Sequence, residues 1–148
     1  MIKKYFIKFA KKFCKFLPFL EPYVYKLGRK YAKRSKGEQL IYNWLKENNI
    51  SFKQEYLIKF PFIIKKKPFV FIDFYLPKTK TFIEYNGKQH YEYVPFFHRS
   101  EEDFKLQQVR DNIIREYCNT KGINLIEIPY YLSDEKICDL LKSKLVND

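Results

Sequence analysis

A chain of 148 residues that is 46% apolar and 20% aromatic is one domain with enough apolar side chain to bury a core, which excludes a disordered chain. Its net charge of +12 is lopsided: residues 1–36 hold twelve Lys or Arg against one acid, Glu21, while residues 37–148 hold seventeen basic and sixteen acidic residues. A basic arm that seeks polyanions therefore precedes an electrically ordinary domain. The three cysteines, Cys14, Cys118 and Cys138, form no CxxC pair, which argues against a disulfide framework or a zinc knuckle and for a reducing intracellular setting. No apolar run approaches ~20 residues, so no membrane span is expected, and lysines interrupt every stretch where the core of a signal peptide would lie.

In the arm, Ile2, Phe6, Phe9, Phe13 and Phe16 recur at helical spacing with lysines between them, which predicts a basic amphipathic helix of about four turns. Pro18 and Pro22 interrupt it, and a second basic segment from Lys26 to Lys36 leads to Gly37. Three roles are open to the arm. It lies along a nucleic-acid backbone, gripping it through residues such as Lys11, Lys12, Lys33 and Arg34, or binds an anionic membrane surface, or packs its Phe stripe on the domain.

Residues 38–48 read as the next helix, with Ile41, Trp44 and Leu45 turned inward. Residues 52–64, rich in Phe, Tyr and Ile, read as a strand; Lys65-Lys66-Lys67-Pro68 is its turn, and 69–76 is the returning strand of a hairpin. That lysine turn is either solvated or grips a phosphate. A second turn, Pro77 to Lys80, leads to a strand over 81–86 that Gly87 ends. After a loop rich in Tyr, Phe and Pro, Ser100 caps a long helix whose acidic first turn, Glu101-Glu102-Asp103, suits a helix N-terminus, and Gly122 stops it. Ile123 to Ile128 is a short strand, Pro129 ends it, and Ser133-Asp134-Glu135 caps a final helix. The order α-β-β-β-α-β with a closing helix predicts an α/β domain over 37–148. In it a mixed central sheet is flanked by helices and preceded by the basic helical arm, 1–36.

Aliphatic and aromatic strands have no packing use for carboxylates, yet Asp73 closes Phe69-Val-Phe-Ile-Asp73 and Glu84 lies in the next strand. On adjacent strands two acids repel unless a cation lies between them, and hard oxygen ligands suit Mg²⁺ or Mn²⁺ rather than zinc. Glu84 shares a strand face with Phe82 and Asn86, opposite Ile83 and Tyr85. The plainer reading is a pair of strand-end acids in solvent or in salt bridges. Glu38, three and seven residues before Ile41 and Leu45, borders the inward face of its helix, where it either coordinates something or serves the helix dipole. His90, six residues after Glu84, can take a proton from water attacking a phosphate, or simply pack; His98 has no assigned role. Asp111 is in line with Phe104, Ile114 and Cys118, so it can orient His90 or a metal-bound water; an ion pair with Arg115 at i+4 is the alternative. Gln107 and Gln108 either touch DNA or are solvated.

Taken together, the segments KGEQLIYNWLKENNISF, FIDFYLP, FIEYNGKQHYE, EEDFKLQQVRDNIIREYC and GINLIEIPY resemble the PD-(D/E)xK, or restriction-endonuclease-like, nuclease superfamily over about residues 36 to 131. Within it they are similar to a branch of small phage, viral and bacterial proteins akin to very-short-patch-repair endonucleases and to homing endonucleases with an EDxHD site. The resemblance implies an αβββαβ core and a Mg²⁺- or Mn²⁺-dependent endonuclease of homing or repair type. Its substrate would be double-stranded DNA, in a bacterial cytoplasm or, if the protein is viral, in a nucleus or virus factory. By position, Glu38 would be the helix-borne acid, Asp73 the central metal ligand and Glu84 the second strand acid, with the carbonyl of Tyr85 near the metal. His90 would be the general base and Asp111 the last acid. The superfamily's usual lysine, two residues after the strand acid, is here Asn86. Lys88 and Gln89 follow as candidate DNA contacts, as do Lys65, Lys66 and Lys67. A catalytically silent DNA-binding module of the same fold and a membrane-surface protein led by its arm are the competing expectations.

Overall fold

The computed structural model describes residues 21–30, 34–64 and 67–146. Its elements in chain order are α1 (Glu21–Lys30), α2 (Lys36–Glu47), β1 (Lys53–Ile64), β2 (Lys67–Leu76), β3 (Thr81–Asn86), a 3-10 turn (Lys88–His90), α3 (Glu101–Lys121), β4 (Asn124–Pro129) and α4 (Asp134–Leu145). The strands form one mixed sheet ordered β1-β2-β3-β4, with β1, β2 and β3 antiparallel and β4 parallel to β3. A parallel neighbour needs a crossover, and α3 supplies it. No helix among the described residues is long and apolar enough to cross a membrane.

Serine caps set where the helices begin. Ser100 accepts from Asp103 N at 3.3 Å and Ser133 from Lys136 N at 3.3 Å, while Gly122, at φ +62°, ends α3 in the left-handed conformation. Ser35 accepts from Glu38 N at 3.2 Å, so α2 starts at Lys36, two residues before the expected start. Gly37 thus lies in the first turn, and a side chain there would overlap the ring of Tyr85. The glycine allows α2 to close on β3.

Two core clusters cover the two faces of the sheet. Ile41 and Leu45 of α2 and Ile137 and Leu141 of α4 pack with Phe74, Leu76, Ile83, Ile126 and Ile128. On the other face, Ile114 and Cys118 of α3 pack with Ile58, Val70, Ile72 and Phe82. Glu84 accordingly has the same facing as Phe82, toward α3, as alternation from the sequence requires.

Strand β2 breaks this alternation. Ile72 belongs to the α3 face and Phe74, two residues on, to the opposite one. The inversion falls at Asp73, where the β1–β2 pairing passes from Tyr56↔Ile72 to Gln54↔Phe74. Across from it, Glu55 adopts φ +49°, an uncommon backbone for a non-glycine residue in a strand. Strand β2 also starts earlier than expected: Lys67 pairs with Ile64, so Lys67 and Pro68 belong to the strand rather than to a turn. Pro68 is tolerated because it stands at the strand's beginning.

Of the basic arm, α1 packs against β1, with Lys59 Nζ 5.5 Å from the ring centroid of Tyr23. Pro22 is buried in the first turn of α1, where a missing N–H costs nothing. Arg34 turns onto the domain, donating to Gln39 Oε1 at 3.2 Å and Gln54 Oε1 at 2.8 Å and lying 4.2 Å from the ring centroid of Tyr42. The amphipathic helix expected over residues 2–16, with Lys11 and Lys12, and the residues Lys33, Lys65 and Lys66 lie outside the described residues.

The contact between Gly37 and Tyr85 can be measured. Gly37→Ala is expected to lower the unfolding free energy in urea by about 1–3 kcal/mol, the usual cost of overpacking. The same change should cost less in a Tyr85→Leu background, a coupling that a double-mutant cycle reads directly.

Candidate active site at the end of strand β3

The β2–β3 ladder pairs Leu76 with Thr81, Tyr75 with Phe82 and Phe74 with Ile83; the next step in this register sets Asp73 opposite Glu84. There the main-chain pairing gives way to a side chain: Tyr85 N–H donates to Asp73 Oδ2 at 2.9 Å. A strand residue sends its N–H and C=O to the same edge, so the Tyr85 carbonyl also faces the Asp73 side. Asp73 is 8% exposed and Oε1 of Glu84 is sealed from solvent. Two carboxylates at facing register positions with a backbone carbonyl beside them are the hard-oxygen donors that Mg²⁺ or Mn²⁺ takes. Among the described residues no group of three His, Cys, Asp or Glu is arranged to hold a metal.

Beyond Asn86 the chain turns through Lys88–His90 and delivers His90 to α3. Its Nδ1 lies 2.8 Å from Asp111 Oδ2. A carboxylate only accepts, so Nδ1 carries the hydrogen, and in the neutral imidazole the lone pair then belongs to Nε2. Asp111, 7% exposed, lies on the buried line of α3 with Ile114 and Cys118. Its other oxygen accepts from Gln107 Nε2 and from Arg110 Nη1, both at 2.9 Å. Gln107 Nε2 is also 3.4 Å from His90 Nδ1, but two donors face each other there, and the amide's hydrogen bond is the one to Asp111. Gln107, open between a DNA contact and a solvated residue in the sequence, thus holds Asp111 in place.

Arg115 is engaged elsewhere than on Asp111. Its Nε and Nη2 grip the two oxygens of Glu127 on β4, each at 2.8 Å, and its Nη1 reaches Asn112 at 2.7 Å. Glu127 stands beside Glu84 in the parallel register and also accepts from Asn86 Nδ2 at 3.2 Å. Asn86 is therefore a buried amide tied to β4. Neither Glu127 nor the double grip of Arg115 was evident from the sequence; the one available signal was an acid inside the apolar strand Leu125-Ile-Glu-Ile128. Burial pushes the Cys118 thiol up to about 11, with the charges of Glu84 and Glu127 adding to the rise.

Glu38 approaches from the other face. The Tyr85 phenol, turned toward α2, is raised above its ordinary value first by burial, then by Asp134 and by Glu38, with Lys36 opposing. The structure thus joins Asp73 to β3 and His90 to Asp111; Glu38 lies on the α2 side, where its charge acts on the Tyr85 phenol. Lys88, half-exposed, pairs with Glu92 at 3.3 Å, and the Gln89 amide folds over Gly87. His98 is buried, accepting from Val94 N at 3.1 Å and stacked on Tyr93, which makes it the staple of the 91–100 loop.

Asp111→Ala is expected to release the His90 ring from its Nδ1–H form toward the Nε2–H form that free histidine prefers, read from imidazole ¹⁵N chemical shifts. The Cys118 thiol gives a stability effect of defined sign. The native state keeps a proton that the unfolded chain, near 9.0, releases first, so this contribution is complete below pH 9 and is lost as pH rises toward about 11. In Cys118→Ala the decline of unfolding free energy over that window should be shallower by about 1 kcal/mol per pH unit.

No protein-family model matches the chain. It is 49% identical over 63 residues to uncharacterized protein 307L of Invertebrate iridescent virus 6, a match covering 43% of this chain and 32% of that protein. It is 42% identical over 76 residues to uncharacterized protein 033L of Invertebrate iridescent virus 3, covering 51% of this chain and 39% of the relative. To uncharacterized protein 094L of Frog virus 3 (isolate Goorha) it is 47% identical over 64 residues, 43% of this chain and 41% of the relative. The chain spans about a third to two-fifths of the length of these viral relatives.

Proposed function

We propose that this protein is a metal-dependent DNA endonuclease that hydrolyses phosphodiester bonds with His90 as the general base. The observation that carries the reading is the 2.8 Å hydrogen bond from His90 Nδ1–H to buried Asp111, formed just past the strand that bears Glu84 and faces Asp73. A histidine packed only for bulk has no need of a buried carboxylate that Gln107 and Arg110 hold from behind. The order α-β-β-β-α-β and the resemblance of the motifs point the same way, and the net charge of +12 suits a polyanionic substrate.

Asp73, Glu84 and the Tyr85 carbonyl would hold Mg²⁺ or Mn²⁺, which when bound acidifies an attacking water and stabilises charge on the phosphate oxygens. The chain's own residues do the rest. Asp111 keeps the imidazole in the form whose Nε2 accepts the proton, and its charge favours the imidazolium that results. Arg110 and Gln107 keep Asp111 from turning away. The Arg115–Glu127–Asn86 linkage fixes the end of β3 against β4 and α3, so that Glu84 and His90 keep their spacing. Glu38 adds negative charge from the α2 side.

Asp73→Asn tests the reading well, because asparagine still accepts the Tyr85 N–H while removing the charge. With Mg²⁺ and supercoiled plasmid, Asp73→Asn and His90→Ala are each expected to lower the cleavage rate by roughly 10²–10⁴-fold, with DNA binding retained in a mobility shift. Cleavage that proceeds in excess EDTA, or that survives Asp73→Asn, would refute it.

A further inference from the structure

Strands β3 and β4 run parallel, so the loops that leave them emerge at the same end of the sheet, and both carry tyrosine there. Tyr91 follows His90 directly, and Tyr130 and Tyr131 follow Pro129. The three rings touch: centroids are 6.1 Å apart for Tyr91 and Tyr130, 5.8 Å for Tyr91 and Tyr131, and 5.5 Å for Tyr130 and Tyr131. The Tyr130 hydroxyl is anchored, donating to Glu92 at 3.0 Å, and its ring packs on both of the others. The cluster is therefore held before any ligand arrives. Tyr131 remains 67% exposed and Tyr91 41% exposed.

Aromatic rings that are packed on one another and left bare in water are an unfavourable arrangement unless something flat covers them. In a chain whose basic arm attracts polyanions, and beside a candidate phosphodiester site, the flat partner that fits is a nucleobase. Inside a paired duplex the base faces are covered by their neighbours, so only an unpaired base can stack there. We infer that Tyr91, Tyr130 and Tyr131 form a stacking platform for an unpaired nucleobase, which narrows the substrate class to duplex DNA with a single-stranded nucleotide next to the cleaved bond. The cleavage half of that statement rests on the nuclease reading, whereas the stacking half is measured without it.

The experiment is fluorescence anisotropy on the full chain in EDTA, with a labelled fully paired duplex and the same duplex carrying a short single-stranded gap. Wild type is expected to bind the gapped DNA more tightly. Tyr131→Ala should weaken binding to the gapped DNA by roughly 5- to 150-fold and leave the paired duplex unchanged. Tyr131→Phe, which keeps the ring, should match wild type, and Tyr131→Leu, which keeps only apolar bulk, should behave as the alanine variant does. Tyr131 is too exposed for these changes to endanger the fold, and circular dichroism checks that. Equal affinity of wild type for the two DNAs, no loss in Tyr131→Ala, equal loss on both DNAs, or full binding by Tyr131→Leu each overturns the platform. Platform-dependent binding without any Mg²⁺-dependent cleavage would instead refute the nuclease reading alone. A protein that cleaves fully paired and gapped DNA alike refutes only the platform.

Discussion

The hydrogen bond from the Tyr85 N–H to the Asp73 carboxylate marks where the sheet opens, and the candidate site depends on that opening. Up to Phe74 and Ile83, strands β2 and β3 pair through their main chains; beyond it a side chain takes over the role of an acceptor. The inversion of β2 at Asp73 and the left-handed backbone of Glu55 opposite are the local distortions that accompany the change. A regular ladder through this point would fill the edge of β3 with main-chain bonds. Instead that edge presents a carboxylate and a carbonyl, chemistry that a continuous sheet would have used up on itself.

Charge compensation organises the α3 side. Glu84, Asp111 and Glu127 all lie between α3 and the sheet, where an uncompensated carboxylate is costly. Helix α3 meets them with Arg110 on Asp111 and Arg115 on Glu127, and His90 arrives from the turn after β3. The bidentate geometry of Arg115 matters because guanidinium and carboxylate match in plane and spacing, which a lysine cannot reproduce. Asn86 then fits as a neutral donor to Glu127, where a lysine would compete with Arg115 for the same carboxylate.

Much of this is legible in the sequence. Ser100, Ser133 and Gly122 mark helix ends by chemistry that acts within a few residues, and the structure uses all three. The facing of Glu84 followed from strand alternation, and the spacing of Asp111 from Ile114 and Cys118 put it on the buried line of α3, from which it reaches His90. Arg115 shows where such reasoning stops. Its i−4 neighbour in sequence is Asp111, but its carboxylate partner is Glu127, brought alongside by the parallel pairing of β4. Gly37 was legible only as a boundary, because the ring that requires its small size belongs to a residue 48 positions away. Gln107 was ambiguous for a related reason: its partner, at i+4, is itself positioned by His90.

The sequence by itself determined the alternation of helices and strands, the helix caps and the inventory of polar residues set into apolar segments, since each depends on periodicity and on contacts within a few residues. The tertiary structure decided which of those residues meet. It put Asp73 on the Tyr85 N–H, joined His90 to Asp111 across 21 residues, and gave Arg115 to Glu127. It also gathered three tyrosines from two separate loops. The physical reason is that sheet register and crossover packing fix distances between residues that no local pattern relates, and the candidate site is made of such distances.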